Sequence, residues 1–208
     1  MAHNETAIQS DQERILRLSH EQGAIRARDL AALGIHHESL RRLCRSGELI
    51  RVARGLYMAA DYDYQPEHTV VEAVTRVPHG IICLLSALRL HDLTTQEPHA
   101  VWMAIGNKDR QPRLAYPHLE IVRFSGRSLT EGIEERKIEG ITVRLYNPAK
   151  TVADCFKCRN KTGLDVAIEA LRDCLAQRRA TLEDLRRYAE VCRVANVMRP
   201  YVEAIVLA

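Results

Sequence analysis

The sequence predicts an α+β protein: an N-terminal winged helix-turn-helix followed by a mixed α/β C-terminal domain with a small sheet and a C-terminal helical bundle. Three observations carry this reading. Up to Met58 the chain runs helix, helix, glycine turn, helix, hairpin. Between Val101 and Tyr146 the apolar period shortens from that of a helix to the alternation of strands. From Asn147 onward, capping signals and apolar stripes of helical period return. The tyrosines and acidic residues of 61–65 read as a linker, which divides the chain into domains of residues 1–62 and 63–208.

In the first domain, Ser10-Asp11-Gln12-Glu13 has capping-box spacing, with Ile15 and Leu18 as the packing face of the helix behind it. Arg26 to Leu33 gives a second helix, Leu30 and Leu33 inward, with Gly34 in the C′ position. The stretch Gly34 to Met58, GIHHESLRRLCRSGELIRVARGLYM, then organises the module. On a wheel of 100° per residue, His36, His37, Leu43 and Cys44 gather near Leu40. Glu38, Arg41, Arg42 and Arg45 point the other way. Gly47 ends this third helix, and Leu49–Ala53 and Gly55–Met58 form the arms of a hairpin carrying Arg51 and Arg54. An arginine run on an exposed helix is by default a solvated face. Here it stands at the position in a winged helix that enters the major groove, where arginine bonds guanine bidentately or clamps phosphates.

In the second domain, Pro66 opens a helix to about Arg76 with Val70, Val71 and Val74 on its apolar side, and Val77-Pro78-His79-Gly80 breaks it. Ile81 to Asp92 reads as a more buried helix. Its Ser86, His91 and Asp92 are not read as a hydrolase triad, for no nucleophile elbow surrounds the serine. Val101–Ile105 and Leu119–Phe124 are strands separated by a polar loop with Lys108, Arg110 and Arg113. Ile133–Ile138 and Ile141–Tyr146 form a hairpin around Glu139-Gly140, with Arg123 and Arg144 as solvent-facing partners of buried positions. Asn147-Pro148 starts a helix with Val152, Cys155 and Phe156 as its stripe. Thr162–Asp165 and Thr181–Asp184 cap two more, and Val197–Leu207, interrupted by Pro200, is expected to close the bundle as a lid.

A net charge of +3 over 208 residues is too small to mark a nucleic-acid binder by itself, so any basic surface must be local. The start, MAHNETAIQS, lacks the apolar stretch of a signal peptide, and no apolar run reaches the ~18 residues of a membrane span. A cytoplasmic protein without membrane contact is expected. Of the six cysteines, Cys44, Cys83, Cys174 and Cys192 fall on or beside apolar helical faces. Cys155 and Cys158 form a C-x2-C, but a structural zinc wants four ligands and no second pair follows. No metal ligands, cofactor or catalytic residues are expected.

GELIRVARGLYM, VPHGIICLLSALRLHDL and YNPAKTVADCFKCRNKTGLDVAIEALRDCL together resemble the AbiEi family of antitoxins from bacterial abortive-infection toxin–antitoxin systems, the likeness running over nearly the whole chain. The resemblance implies a transcriptional repressor that binds double-stranded DNA at inverted repeats in its own operon promoter. It also implies a C-terminal domain that opposes a cognate nucleotidyltransferase-like toxin, directly or through a shared target. The family's reading helix maps onto His36 to Arg45, which assigns DNA contacts to His36, His37, Glu38, Ser39, Arg41, Arg42 and Arg45; its wing maps onto Arg51 and Arg54. In the second domain, Lys150, Lys157, Arg159 and Lys161 lie in the matching NPAKTVADCFKCRNK run and, with Lys108, Arg110 and Arg113, form the candidate antitoxin surface. His36 and His37 depart from the pattern, standing where serine or a similar cap would hold the helix start.

Two other classes remain open on sequence. One is a winged-helix-targeted nuclease, against which the second half shows no carboxylates clustered for two metal ions. The other is a protein–protein interaction module whose arginines anchor a partner rather than DNA.

Overall fold

The computed structural model describes residues 2–63 and 66–207, with side chains from Asp11 onward. Its contacts divide the chain into two units, Met1–Val71 with Lys137–Thr142, and Glu72–Arg136 with Val143–Ala208. Both mix helices with a small sheet. Tyr64 and Gln65, the end of the expected linker, lie outside the described residues.

The first unit runs α1 (Ala2–Gln22), β1 (Ile25–Arg26), α2 (Ala27–Ala32), α3 (His37–Ser46), β2 (Leu49–Ala53) and β3 (Leu56–Ala59), with sheet order β1-β3-β2, all antiparallel. Its core is Ile15, Ile25, Leu30, Ile35, Leu40, Leu43 and Leu49. Helix α1 starts at Ala2, so Ser10 lies inside it rather than at its N-cap, and the Ser10 side chain is outside those described. The two-residue β1 carries too short a pattern to be read from sequence. Leu33, expected inward, is 52% exposed. It is the C-cap of α2 rather than part of its packing face, and the turn at Gly34 (φ +73°) brings Ile35 into the core instead, its N–H donating to Leu30 O at 3.0 Å. Ser19 ties α1 to β3: its hydroxyl donates to Gly23 O and accepts from Ala59 N at 2.7 Å. Lys137–Thr142 joins this unit through Ala24, whose N–H donates to Glu139 O at 2.7 Å.

Helix α4 (His68–Arg76) begins two residues after Pro66 and spans the division between the units. The chain then runs β4 (Ile81–Ile82), α5 (Leu84–Leu90), β5 (Val101–Gly106), β6 (Leu119–Phe124), α6 (Arg127–Thr130), β7 (Ile133–Ile138), β8 (Ile141–Tyr146), α7 (Pro148–Lys157), α8 (Arg159–Thr162), α9 (Leu164–Ala176), α10 (Leu182–Val191) and α11 (Ala195–Val206), all in the second unit except the end of β7 and the start of β8, which fall within Lys137–Thr142. The sheet order is β6-β5-β4-β8-β7, mixed in direction: β4 runs antiparallel to β5 and parallel to β8, and β5 is parallel to β6. Ile81 and Ile82, expected to open a helix, are instead a strand. These two β-branched residues are buried between β5 and β8, and Leu84, at φ +46°, marks the break before α5.

Asn147 caps α7 by accepting from Lys150 N, and Thr181 and Asp184 complete a capping box on α10. Thr162 does not cap α9. It is buried with its hydroxyl turned to Cys158 O, and Gly163 is the N-cap. Helix α11 runs through Pro200 rather than being interrupted there. Met198, Tyr201, Val202 and Ile205 repeat at helical spacing against the unit's core, the Tyr201 ring tilted against Phe156 with centroids 5.6 Å apart, and this packing sustains the helix past one missing N–H.

All six cysteines are free thiols, with Cys83, Cys155, Cys174 and Cys192 buried. Ser86 and His91 are engaged separately, the serine Oγ accepting from Trp102 N and the His91 Nε2 lying 2.8 Å from Tyr146 O. Among the described residues no helix is long and apolar enough to cross a membrane.

Candidate nucleic-acid interface

Helix α3 is anchored on one side and solvated on the other. Leu40 and Leu43 are buried at 3% and 1% exposure, while Arg41, Arg42 and Arg45 are exposed. Glu38, half-buried, faces Arg42 at 3.9 Å across one helical turn. Among the described residues Arg41 and Arg45 enter no ion pair, so their guanidinium groups are left to solvent or to a partner. Gly47, at φ +84°, takes the left-handed C-cap a side chain would strain, and Ser46 bonds Leu43 O and Glu48 to close the turn into β2.

The start of α3 has no local cap. His36 is the N-cap residue in extended conformation, and its side chain makes no capping bond. Asp11 of α1 supplies the partner instead: its Oδ2 accepts from His36 N at 3.0 Å, and its Oδ1 lies 3.6 Å from Arg14. His36 and His37 are both exposed, not packed beside Leu40; His36 is the N-cap outside the helix and His37 its first residue, one turn short of the buried Leu40. Ser39 takes that buried place. With no exposed surface and an unpartnered Oγ among the described residues, it is a core residue, and its assignment to DNA contact is corrected.

Along the hairpin, a register shift between Arg51 and Ala53 bulges β2, and the Arg51 Nε turns back to Ala53 O at 3.2 Å. Arg51 thus stiffens its own strand while remaining exposed, and its charge pulls down on the Cys44 thiol, which burial pushes up. Arg54 stands exposed at the tip, beside Gly55 at φ +72°; Gly55 O accepts from Ala27 N at 3.0 Å and holds the tip against α2. Helix α3 and the hairpin tip therefore present Arg41, Arg42, Arg45 and Arg54 from anchored supports.

The candidate surface of the second unit is more divided. Lys150 is wholly buried, its Nζ 2.5 Å from Asp154 Oδ2 and 3.9 Å from the centre of the Tyr146 ring, so it is corrected from surface to core. The reason is local: α7 is buried on nearly every side, and the i,i+4 carboxylate neutralises the ammonium inside. Burial pushes the Asp154 carboxyl up, against the pull of Lys150, and Cys192 Sγ donates to its other oxygen at 3.1 Å. Lys157 and Lys161 are exposed, Lys157 reaching Ser128 Oγ at 3.3 Å, whereas Arg159 is half-buried and bonded to Phe156 O. Lys108, Arg110 and Arg113 lie on the β5–β6 loop, all three exposed. Arg123, expected merely to face solvent, orders that loop. Its Nη1 donates to Gly106 O, Asn107 O and Asp109 O at 2.9–3.1 Å, and Asp109 turns its carboxylate in to Gly106 N. Arg113 also lines an open cavity of about 680 Å³ with His99, His118 and Glu120.

Two of these roles were missed in the sequence. The absent cap at His36 was the available signal for Asp11, since an uncapped helix start requires a partner from elsewhere. Arg123 gave no signal, because its acceptors are backbone carbonyls.

Residues 13–60 match the family described as transcriptional regulator, AbiEi antitoxin, which bears out the resemblance over that segment and supports a general role as an antitoxin-type regulator. The match lies within the first unit and leaves the two longer motifs of the second outside it. No curated protein matches the chain. Among solved structures, the RV2827C protein from Mycobacterium tuberculosis is similar in fold, with a TM-score of 0.52 and 14% identity over 87% of this chain and 71% of that one.

Proposed function

We propose that the chain is an antitoxin and transcriptional autorepressor of a toxin–antitoxin operon. Its first unit acts as a winged helix-turn-helix on inverted repeats in its own promoter. Helix α3 enters the major groove, with Arg41, Arg42 and Arg45 as the main contacts and Arg54 on the backbone. The second unit opposes a nucleotidyltransferase-like toxin, directly or through a shared target, with the ordered β5–β6 loop as the face it presents. The observation that carries the reading is the solvated arginine face of α3, fixed from behind by Leu40 and Leu43, in the segment that matches the regulator family.

Fluorescence anisotropy against a duplex from the chain's own upstream region and a scrambled duplex, across about 50 to 200 mM salt, tests this. The upstream duplex should bind more tightly, and substituting an arginine that reads a base should cost about 1–3 kcal/mol at one base pair. Equal binding to both duplexes, or none, would overturn the operator reading.

A further inference from the structure

We infer that Asp11 is a positioning residue for DNA recognition, setting the start of α3 from a different helix; the inference deepens the operator reading above and rests on it. An α-helix leaves its first four N–H groups unpaired, and a serine, threonine, asparagine or aspartate at the N-cap ordinarily answers one of them and fixes the angle of the first turn. His36 makes no such bond. The carboxylate that reaches this place comes from 25 residues away, bonding the N-cap N–H at 3.0 Å from a side chain that is only 13% exposed. Arg14, one turn along α1 from Asp11, lies 3.6 Å from its second oxygen and biases the carboxylate's orientation.

The consequence follows from where reading residues lie. In helix-turn-helix docking the N-terminal part of the reading helix meets the base edges, so a shift at His36 moves the first turn, with His36, His37 and Glu38, against the bases, while Leu40 and Leu43 hold the arginine face from behind. Arg45 and the hairpin tip are held separately, by Leu43 and Gly47 and by Gly55. Loss of the Asp11 bond therefore degrades reading more than phosphate contact. Asp11 is itself an anion on the DNA-binding unit, so its removal as mere charge would instead strengthen binding to every duplex.

Three forms of the protein separate these effects: Asp11→Ala, which removes the acceptor; Asp11→Asn, which removes the charge but keeps a carbonyl oxygen for His36 N; and wild type. Amide hydrogen exchange over residues 36–40, without DNA, should show about tenfold faster exchange in Asp11→Ala and near-wild-type protection in Asp11→Asn, a tenfold change being within the range a helix cap contributes. The ratio of affinities for upstream and scrambled duplexes should fall about tenfold in Asp11→Ala at an unchanged salt slope, and recover in Asp11→Asn. Unchanged exchange in Asp11→Ala would overturn the proposal whatever the DNA does, as would both variants binding both duplexes more tightly, or an equal loss on both duplexes. If wild type does not discriminate between duplexes while exchange behaves as stated, the operator reading fails and the Asp11 bond stands as the determinant of the α3 start.

Discussion

His91 shows how one side chain can make a fold sensitive to pH. It is 3% exposed, Nε2 lies 2.8 Å from Tyr146 O, and Nδ1 lies 3.4 Å from the Arg136 guanidinium. A carbonyl accepts only, and a guanidinium donates only, so this setting selects the neutral tautomer with hydrogen on Nε2. Burial holds the imidazole below its ordinary 6.5, against the pull of the Tyr146 carbonyl and Glu134. The sign follows. The unfolded chain takes up the proton first, so the stabilising contribution is complete above about pH 6.5 and is lost as pH falls through the folded value. Thermal melts should therefore show a lower midpoint near pH 5 than near pH 7.5, with the difference reduced in His91→Gln; an undiminished difference would assign the acid sensitivity to other groups.

Among the elements, α10 carries the best-defined start. Thr181 Oγ1 accepts from Asp184 N at 3.1 Å, and the Asp184 carboxylate accepts from the Thr181 hydroxyl at 2.6 Å and from Thr181 N at 3.0 Å; the hydroxyl first, then the backbone N–H, hold the Asp184 carboxyl below its usual range. Thr181→Ala should destabilise the protein by about 1 kcal/mol, read as a lower denaturation midpoint at an unchanged slope. This box was legible because both partners sit in one short stretch. The same holds for Asn147-Pro148 before α7, for Gly47 after α3, and for the β7–β8 turn, whose Glu139 and Gly140 both take positive φ. What escaped the sequence depends on distant neighbours. Ile81-Ile82 becomes a strand because β5 and β8 flank it, α11 persists through Pro200 because Tyr201 finds Phe156, and Ser39 and Lys150 are buried by tertiary packing that neither residue type announces. In the candidate interface, Arg41, Arg42 and Arg45 were readable from one helical wheel. Asp11 and the backward turn of Arg51 were not, since each answers a backbone group.

For the whole molecule, the small net charge conceals a division. The first unit carries ten Lys and Arg against eleven Asp and Glu, the second twenty against sixteen. Total charge therefore cannot bring the first unit to DNA; under the proposed function, its attraction rests on the segregation of Arg41, Arg42, Arg45, Arg51 and Arg54 onto α3 and the hairpin. The surplus on the second unit includes Lys108, Arg110 and Arg113, held on a loop that Arg123 orders. If the two surfaces serve different partners, two triple variants of the full chain will separate them. Arg41, Arg42 and Arg45 changed together to alanine should abolish the preference for the upstream duplex and flatten the salt dependence by about one unit of log–log slope for each phosphate the variant no longer neutralises. That variant should still rescue growth when the toxin is expressed. Lys108, Arg110 and Arg113 changed to alanine should leave the slope and the preference intact and lose the rescue. A slope flattened by the loop variant would instead make the second unit part of the DNA-binding surface, since counterion release reports neutralised phosphates irrespective of which unit supplies the cation.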